Sequence, residues 1–147
     1  MTSRPILLVE DNPDDEDLTL RALKKSNIVN EVNVARDGAQ ALEFLFTADG
    51  ASVTLPALIL LDLQLPKVDG LEVLRRIRAD ERANIVPVVA LTSSKGQEDI
   101  VDSYQNGANG YMRKPVNFAG FSDAVSNLGV FWLLVNEVPP ERIPPSS

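Results

Sequence analysis

The strongest constraint on this chain is a set of five short, mostly apolar runs separated by segments of helical period. The runs are Ile6-Leu7-Leu8-Val9, Val32–Ala35, Ala57–Leu61, Val86–Leu91 and Tyr111–Arg113. A strand with one wet face alternates apolar and polar residues, whereas a run without alternation is covered on both faces. Between the runs, helices are predicted over Asp14–Ser26 with Leu18, Ala22 and Leu23 inward, and over Gly38–Ala48 with Ala41, Leu42 and Leu45 on one side. Further helices are predicted over Leu71–Ala79 with arginines on the outer side, over Gln97–Asn106 with Val101 and Tyr104 three apart, and over Asn117–Leu134. Five repeats of strand then helix predict a doubly wound α/β fold, a parallel sheet with helices on both faces.

A chain of 147 residues suits one domain. The domain is expected over residues 1–138, with an extended last helix. The remainder, 139–147, holds four prolines and two serines and is expected to be a flexible tail. The net charge of −7 opposes a nucleic-acid footprint, which needs a concentrated positive field, and fits a cytoplasmic protein. With no cysteine there is no disulfide, thiolate metal site or cysteine-linked chromophore; with no histidine there is no imidazole base or ligand. The start of the chain lacks a secretory h-region, and the longest apolar stretch, Leu128 to Val135, is far shorter than a membrane span.

In an open parallel sheet, ligands bind beyond the carboxyl ends of the strands. The first run ends in Glu10-Asp11, the third in Asp62, the fourth in Thr92-Ser93-Ser94, and the fifth is followed by Lys114-Pro115. Singly, each has a plainer reading: a solvated turn, a helix cap, a surface lysine. Together they place three acids, hydroxyls and one lysine on one rim. Gathered carboxylates repel, and a hard cation such as Mg²⁺ relieves the repulsion through oxygen ligands. That set suits phosphoryl transfer to an aspartate, with metal and lysine neutralising the phosphoryl oxygens and Thr92 donating to one of them.

The segments ILLVEDNPDD (6–15), LILLDLQLPKVDG (58–70), VVALTSS (88–94) and GYMRKP (110–115) resemble, in order and spacing, the receiver domain of bacterial two-component response regulators. The resemblance covers about residues 4 to 128. It implies a flavodoxin-like sheet of order 2-1-3-4-5. It implies Asp62 as phosphoacceptor, Asp11 as a direct Mg²⁺ ligand, Glu10 as holder of a metal-bound water or as added charge, and the Gln64 backbone carbonyl as a further ligand. Thr92 would contact the phosphoryl group after transfer, Lys114 would pair with its oxygens, and the rotamer of Tyr111 would be coupled to Thr92; Tyr111 also reads plainly as a half-buried core aromatic. Pro66 and Gly70 would shape the loop after Asp62, and Lys114-Pro115 is expected to be cis. Glu10 departs from the Asp commoner in its position, and its longer arm still reaches a metal through water. The terminal FWLLVNEVPP is similar to the short, stand-alone receivers partnered with phytochrome-type histidine kinases.

The implied function is a stand-alone response regulator, not an enzyme. A sensor histidine kinase would phosphorylate Asp62, and the added charge would shift the face built from the fourth helix, fifth strand and fifth helix. Gln64 and Ser94 flank the expected path of hydrolytic water and are candidates for tuning the phosphoryl lifetime. In the last helix Phe118, Phe121, Val125, Leu128 and Trp132 form the expected core face. Val130, Phe131, Leu133, Leu134 and Val135 fall partly outside it, which leaves a folded-back tail or an apolar patch for self-association. The homodimer is the favoured expectation, through the last helix and that same face. No second domain is expected to follow, so output is a protein contact or onward phosphotransfer. An Asp-nucleophile phosphatase of the haloacid dehalogenase type would need an acid where Gln64 stands. A flavodoxin-like cofactor binder would need a Ser/Thr/Gly-rich loop where Glu10-Asp11-Asn12-Pro13 stands. A receiver kept only as scaffold would not need the full set of acids with Thr92 and Lys114.

Overall fold

The computed structural model describes residues 4–46, 55–93 and 97–129, the side chains of 97–99 aside. The strands are β1 (Ile6–Val9), β2 (Val32–Ala35), β3 (Leu58–Asp62), β4 (Val88–Thr92) and β5 (Gly110–Arg113). All pair in parallel, in the order β2-β1-β3-β4-β5. The helices are α1 (Pro13–Lys25), α2 (Gly38–Leu45), α3 (Gly70–Ala79), α4 (Gln97–Gln105) and α5 (Phe118–Leu128), with a 3-10 turn at Ala83–Ile85 before β4. The expected doubly wound sheet is therefore the observed one.

The unbroken apolar runs follow from two cores. Leu7, Val9, Ile59, Leu61, Val88 and Ala90 point to one face and pack with Ala41, Leu45, Val73, Leu74 and Ile77 of α2 and α3. Ile6, Leu8, Leu58, Leu60, Val89 and Leu91 point to the other and pack with Ala22, Leu23, Phe121 and Val125 of α1 and α5. Successive residues of a strand face opposite ways, so both parities must be apolar when both faces are covered.

Several side chains depart from the periodic reading. Leu18 is 40% exposed, and Thr19 takes the buried position because its hydroxyl donates to the Asp15 carbonyl at 2.9 Å. A hydroxyl satisfied within its own helix turn can be buried at little cost. Val101 and Tyr104 of α4 are exposed, and Ser103 is buried, its hydroxyl bonded to the Ile100 carbonyl at 2.8 Å. Phe118, the first residue of α5, is exposed, so the buried stripe of that helix begins at Phe121. Arg78 does not share the outer side of α3 with Arg75 and Arg76. It turns in and donates to the carbonyls of Gly107, Asn84 and Val86 and to Asn109 Oδ1, at 2.7–2.9 Å. Asp62 belongs to β3 itself, and Val86 precedes β4.

Helix α5 ends at Leu128, where Gly129 adopts φ 72° and its N–H reaches back to the Val125 and Ser126 carbonyls. This left-handed cap is the ordinary helix stop at glycine. The expected continuation to Leu134, the positions Val130–Val135 and the tail 139–147 lie outside the described residues, as does Ser94.

Candidate phosphoacceptor and metal site

The site is assembled where four strands stop. β1 runs into Glu10, whose N–H still donates to the Ala35 carbonyl at 2.9 Å and whose side chain is fully buried. Asp11 follows and is exposed. The chain then turns into α1. Asn12 Oδ1 accepts from the N–H groups of Asp14 at 2.8 Å and Asp15 at 3.1 Å, and Pro13 opens the helix. An Asn cap followed by proline is a strong helix start, so the turn carrying Glu10 and Asp11 is held from both sides.

At the end of β3, Asp62 is 2% exposed. Its Oδ1 accepts from the Gln64 N–H at 2.9 Å and its Oδ2 from Lys114 Nζ at 3.0 Å. The loop beyond it is pressed close. A Cβ on Gly70 would lie 2.4 Å from the Asp62 carbonyl oxygen, and one on Gly38 would lie 2.1 Å from that of Val68. Only glycine allows these approaches. Asp11, Gln64, Pro66 and Asp69 border a cleft of about 380 Å³ beside this loop.

β4 ends in Thr92, fully buried, whose carbonyl accepts from the Lys114 N–H at 2.9 Å. Beyond β5 the Lys114-Pro115 peptide is cis, as expected. The ammonium of Lys114 is almost enclosed, with a side-chain exposure of 8%. It lies 3.0 Å from Glu10 Oε2 and 3.1 Å from Oε1, 3.0 Å from Asp62 Oδ2, and 3.0 Å from Asp15 Oδ2. Burial works against its charge, but the hydrogen bonds to Asp62, Asp15 and Glu10 outweigh this and hold its pKa above the usual lysine value.

Glu10, Asp11 and Asp62 each offer a carboxylate oxygen, and the three oxygens lie within 4.8 Å of one another. Three oxygen donors without nitrogen or sulfur suit a hard divalent cation. The charge balance points the same way. Burial pushes the Glu10 carboxyl up to about 7, against the lowering pull of the Lys114 hydrogen bond and with Asp62 adding repulsion. One ammonium is too little positive charge for these acids, and a cation would supply more.

Of the residues singled out from the sequence, the structure brings together Glu10, Asp11, Asp62 and Lys114, with the backbone of Thr92 joined to Lys114. Gln64 enters by its N–H to Asp62, and its Oε1 accepts from Ser93 Oγ at 3.3 Å. Tyr111 stands elsewhere. It pairs with Ala90 in register, is 36% exposed, and meets Tyr104 edge to face with ring centres 6.1 Å apart. Sequence reasoning missed Asp15. It was one of several acids in a helix first turn, where the dipole alone accounts for acids, and only its place in the EDNPDD segment set it apart.

The response regulator receiver domain family matches residues 6–126. The solved bacteriophytochrome response regulator AtBRR is 51% identical with a TM-score of 0.79, and the match covers 93% of this chain and 100% of that one. Response regulator Rcp1 of Synechocystis sp. is 40% identical over 87% of this chain and 88% of its own. A solved Mn²⁺-bound form of Rcp1 has a TM-score of 0.73 and covers 93% of this chain and 99% of its own. The probable methanogenesis regulatory protein FilR2 of Methanothrix harundinacea is 40% identical over 91% of this chain and 86% of its own. A buried aspartate facing a lysine beside two further acids, on a sheet of this order, thus stands in a chain that belongs to the response regulator receiver domains.

Proposed function

We propose that this protein is a phosphorylation switch in which Asp62 accepts a phosphoryl group from the phosphohistidine of a partner kinase. One observation carries the reading. The Asp62 carboxylate lies at a rim where a lysine touches it at 3.0 Å and two further carboxylates converge with it within 4.8 Å. An Asp62 oxygen attacks phosphorus, the nitrogen–phosphorus bond breaks, and the donor imidazole keeps that electron pair. The product is an acyl phosphate. Lys114 is placed to donate to its oxygens, and Thr92 ends β4, the strand that pairs with that of Asp62, and offers a hydroxyl there. Glu10, Asp11 and Asp62, with the Gln64 carbonyl, would hold Mg²⁺, which when bound offsets negative charge on the transferring group. The supports for a metal are the oxygen donor set here and the Mn²⁺ bound to Rcp1.

The phosphoryl group adds nearly two negative charges and draws Thr92 and Lys114 toward it, shifting the face of α4, β5 and α5 through Tyr111. We place its work in the cytoplasm, downstream of a phytochrome-type kinase and without a nucleic-acid partner. Relatedness to the bacteriophytochrome response regulator AtBRR supports the link to a phytochrome-type kinase; the net charge of −7 supports the absence of nucleic acid. The residue two past Asp62 is Gln64, which cannot act as general acid, so the reading is a switch and not a turnover phosphatase. Exposed Val101, Tyr104 and Tyr111 support a homodimer through this face and the last helix. Light scattering on the full chain and on a truncation after Gly129 tests it, and a monomeric full chain at micromolar concentration would count against it.

Acetyl phosphate with Mg²⁺ is expected to label the native chain on Asp62 and to leave Asp62→Asn unlabelled. Stoichiometric labelling that persists in Asp62→Asn would overturn the assignment.

A further inference from the structure

Lys114 has three N–H donors and three carboxylate partners, Glu10, Asp62 and Asp15. The first two are claimed by the chemistry: Glu10 by the cation site, Asp62 by the phosphoryl group. Asp15 has neither duty, and its neighbours in the same turn face elsewhere. Asp14 is exposed, Glu16 bonds Arg36, and Asp17 pairs with Arg21 at the surface. Of these, Asp15 is the one that reaches the ammonium, at 3.0 Å.

Its backbone is fixed on both sides. The Asp15 N–H is bound by the Asn12 cap at 3.1 Å, and its carbonyl accepts the Thr19 hydroxyl at 2.9 Å. With the backbone held, the contact with Lys114 at 3.0 Å is within easy reach of a carboxylate at this position. We infer that Asp15 is the positioning residue for Lys114: it holds the ammonium at the rim while Glu10 and Asp62 exchange it for cation and phosphoryl group. This rests on Asp62 being the phosphoacceptor. It adds that α1, not only the strand ends, sets where the lysine stands.

A bulk-charge role makes the opposite prediction. Removing one carboxylate would weaken repulsion of an anionic donor and speed labelling. Positioning predicts slower labelling, because Lys114 loses the one partner that does not leave it. Acetyl phosphate labelling with Mg²⁺ is expected to slow roughly fivefold in Asp15→Asn and to recover in Asp15→Glu. In a Lys114→Met background, Asp15→Asn should cause no further slowing, since it acts through the lysine. A second readout needs neither metal nor phosphate. In metal-free protein, reductive methylation followed by mass spectrometry should find Lys114 protected in the native chain and in Asp15→Glu, and modified faster in Asp15→Asn. Faster or unchanged labelling in Asp15→Asn, equal slowing in the two lysine backgrounds, or unchanged Lys114 protection would each overturn the inference. If the native chain takes no label on Asp62, the phosphoacceptor reading fails instead, while the methylation result still decides whether Asp15 holds Lys114.

Discussion

Among the described residues, an inward-turned cation stands at each rim of the sheet, and the two are held in opposite ways. At the carboxyl rim, Lys114 lies among carboxylates. At the amino rim, Arg78 spans neutral oxygens, the carbonyls of Gly107, Asn84 and Val86 and the side chain of Asn109, which also accepts the Val88 N–H at 2.8 Å. Charged partners can be exchanged for a metal or a phosphoryl group, so Lys114 suits a switch. Carbonyls have no competing ligand, so Arg78 suits permanent closure between α3, the start of β4 and the turn before β5. The planar guanidinium fixes its N–H donors in a rigid fork that suits carbonyls held by the backbone, whereas the ammonium is a compact charge with three rotatable donors.

The comparison is broken most directly at Arg78. Arg78→Ala is expected to cost about 2–4 kcal/mol, because it strips several carbonyls of their donor at one stroke. Urea unfolding measures this, and the folded variant should take up phosphate on Asp62 at the native rate. Arg78→Lys should restore only part of the loss. An unchanged urea midpoint in Arg78→Ala would end the claim that the amino rim is the structural one.

Gly70→Ala tests the carboxyl rim from its backbone. The new methyl would stand 2.4 Å from the Asp62 carbonyl oxygen and 2.6 Å from Leu63 Cα, so α3 or the end of β3 must shift. A loss of about 2 kcal/mol in urea is expected, as for overpacking elsewhere. Labelling of Asp62 should slow as well, since the shift moves its carboxylate. Stability lost without slower labelling would show that the end of β3 is not displaced.

Asp11→Asn separates charge from fold. Asp11 is exposed, so its replacement should leave the urea midpoint within about 0.5 kcal/mol. Loss of one carboxylate of the three should weaken Mg²⁺ roughly tenfold by calorimetry. Equal Mg²⁺ affinity in the variant would remove Asp11 from the ligands.

What could be read from the sequence divides along the same two rims. Glu10, Asp62, Thr92 and Lys114 were legible because apolar runs stop at them, and in a parallel sheet those stops share one edge. Arg78 was not legible. It stands in LRRIRA beside two surface arginines that pair with Glu72, and a helical period cannot tell an arginine reaching water from one curling over the helix end to backbone oxygens. Asp15 was hidden for a related reason: its partner is 99 residues away, and first-turn acids have a local explanation. Leu18 reads as inward by its hydrophobicity, yet Thr19 takes the buried place because its hydroxyl is satisfied inside its own turn.

Asn12→Ala makes the smallest change and tests whether the two rims are independent. Asn12 caps α1 through two N–H groups, at 2.8 and 3.1 Å, and its own N–H donates to Glu10 Oε2 at 3.2 Å. Alanine keeps the N–H but loses the cap, which is expected to cost about 1 kcal/mol; aspartate keeps the cap and should stay within a few tenths. The loosened turn carries Asp15, so Lys114 should also be methylated somewhat faster in the alanine variant, while closure by Arg78 at the amino rim is untouched. Amide hydrogen exchange localises the effect. Faster exchange confined to the first turn of α1 is the expected result, and faster exchange at Val88 and Gly107 would mean that the two rims are coupled through the sheet.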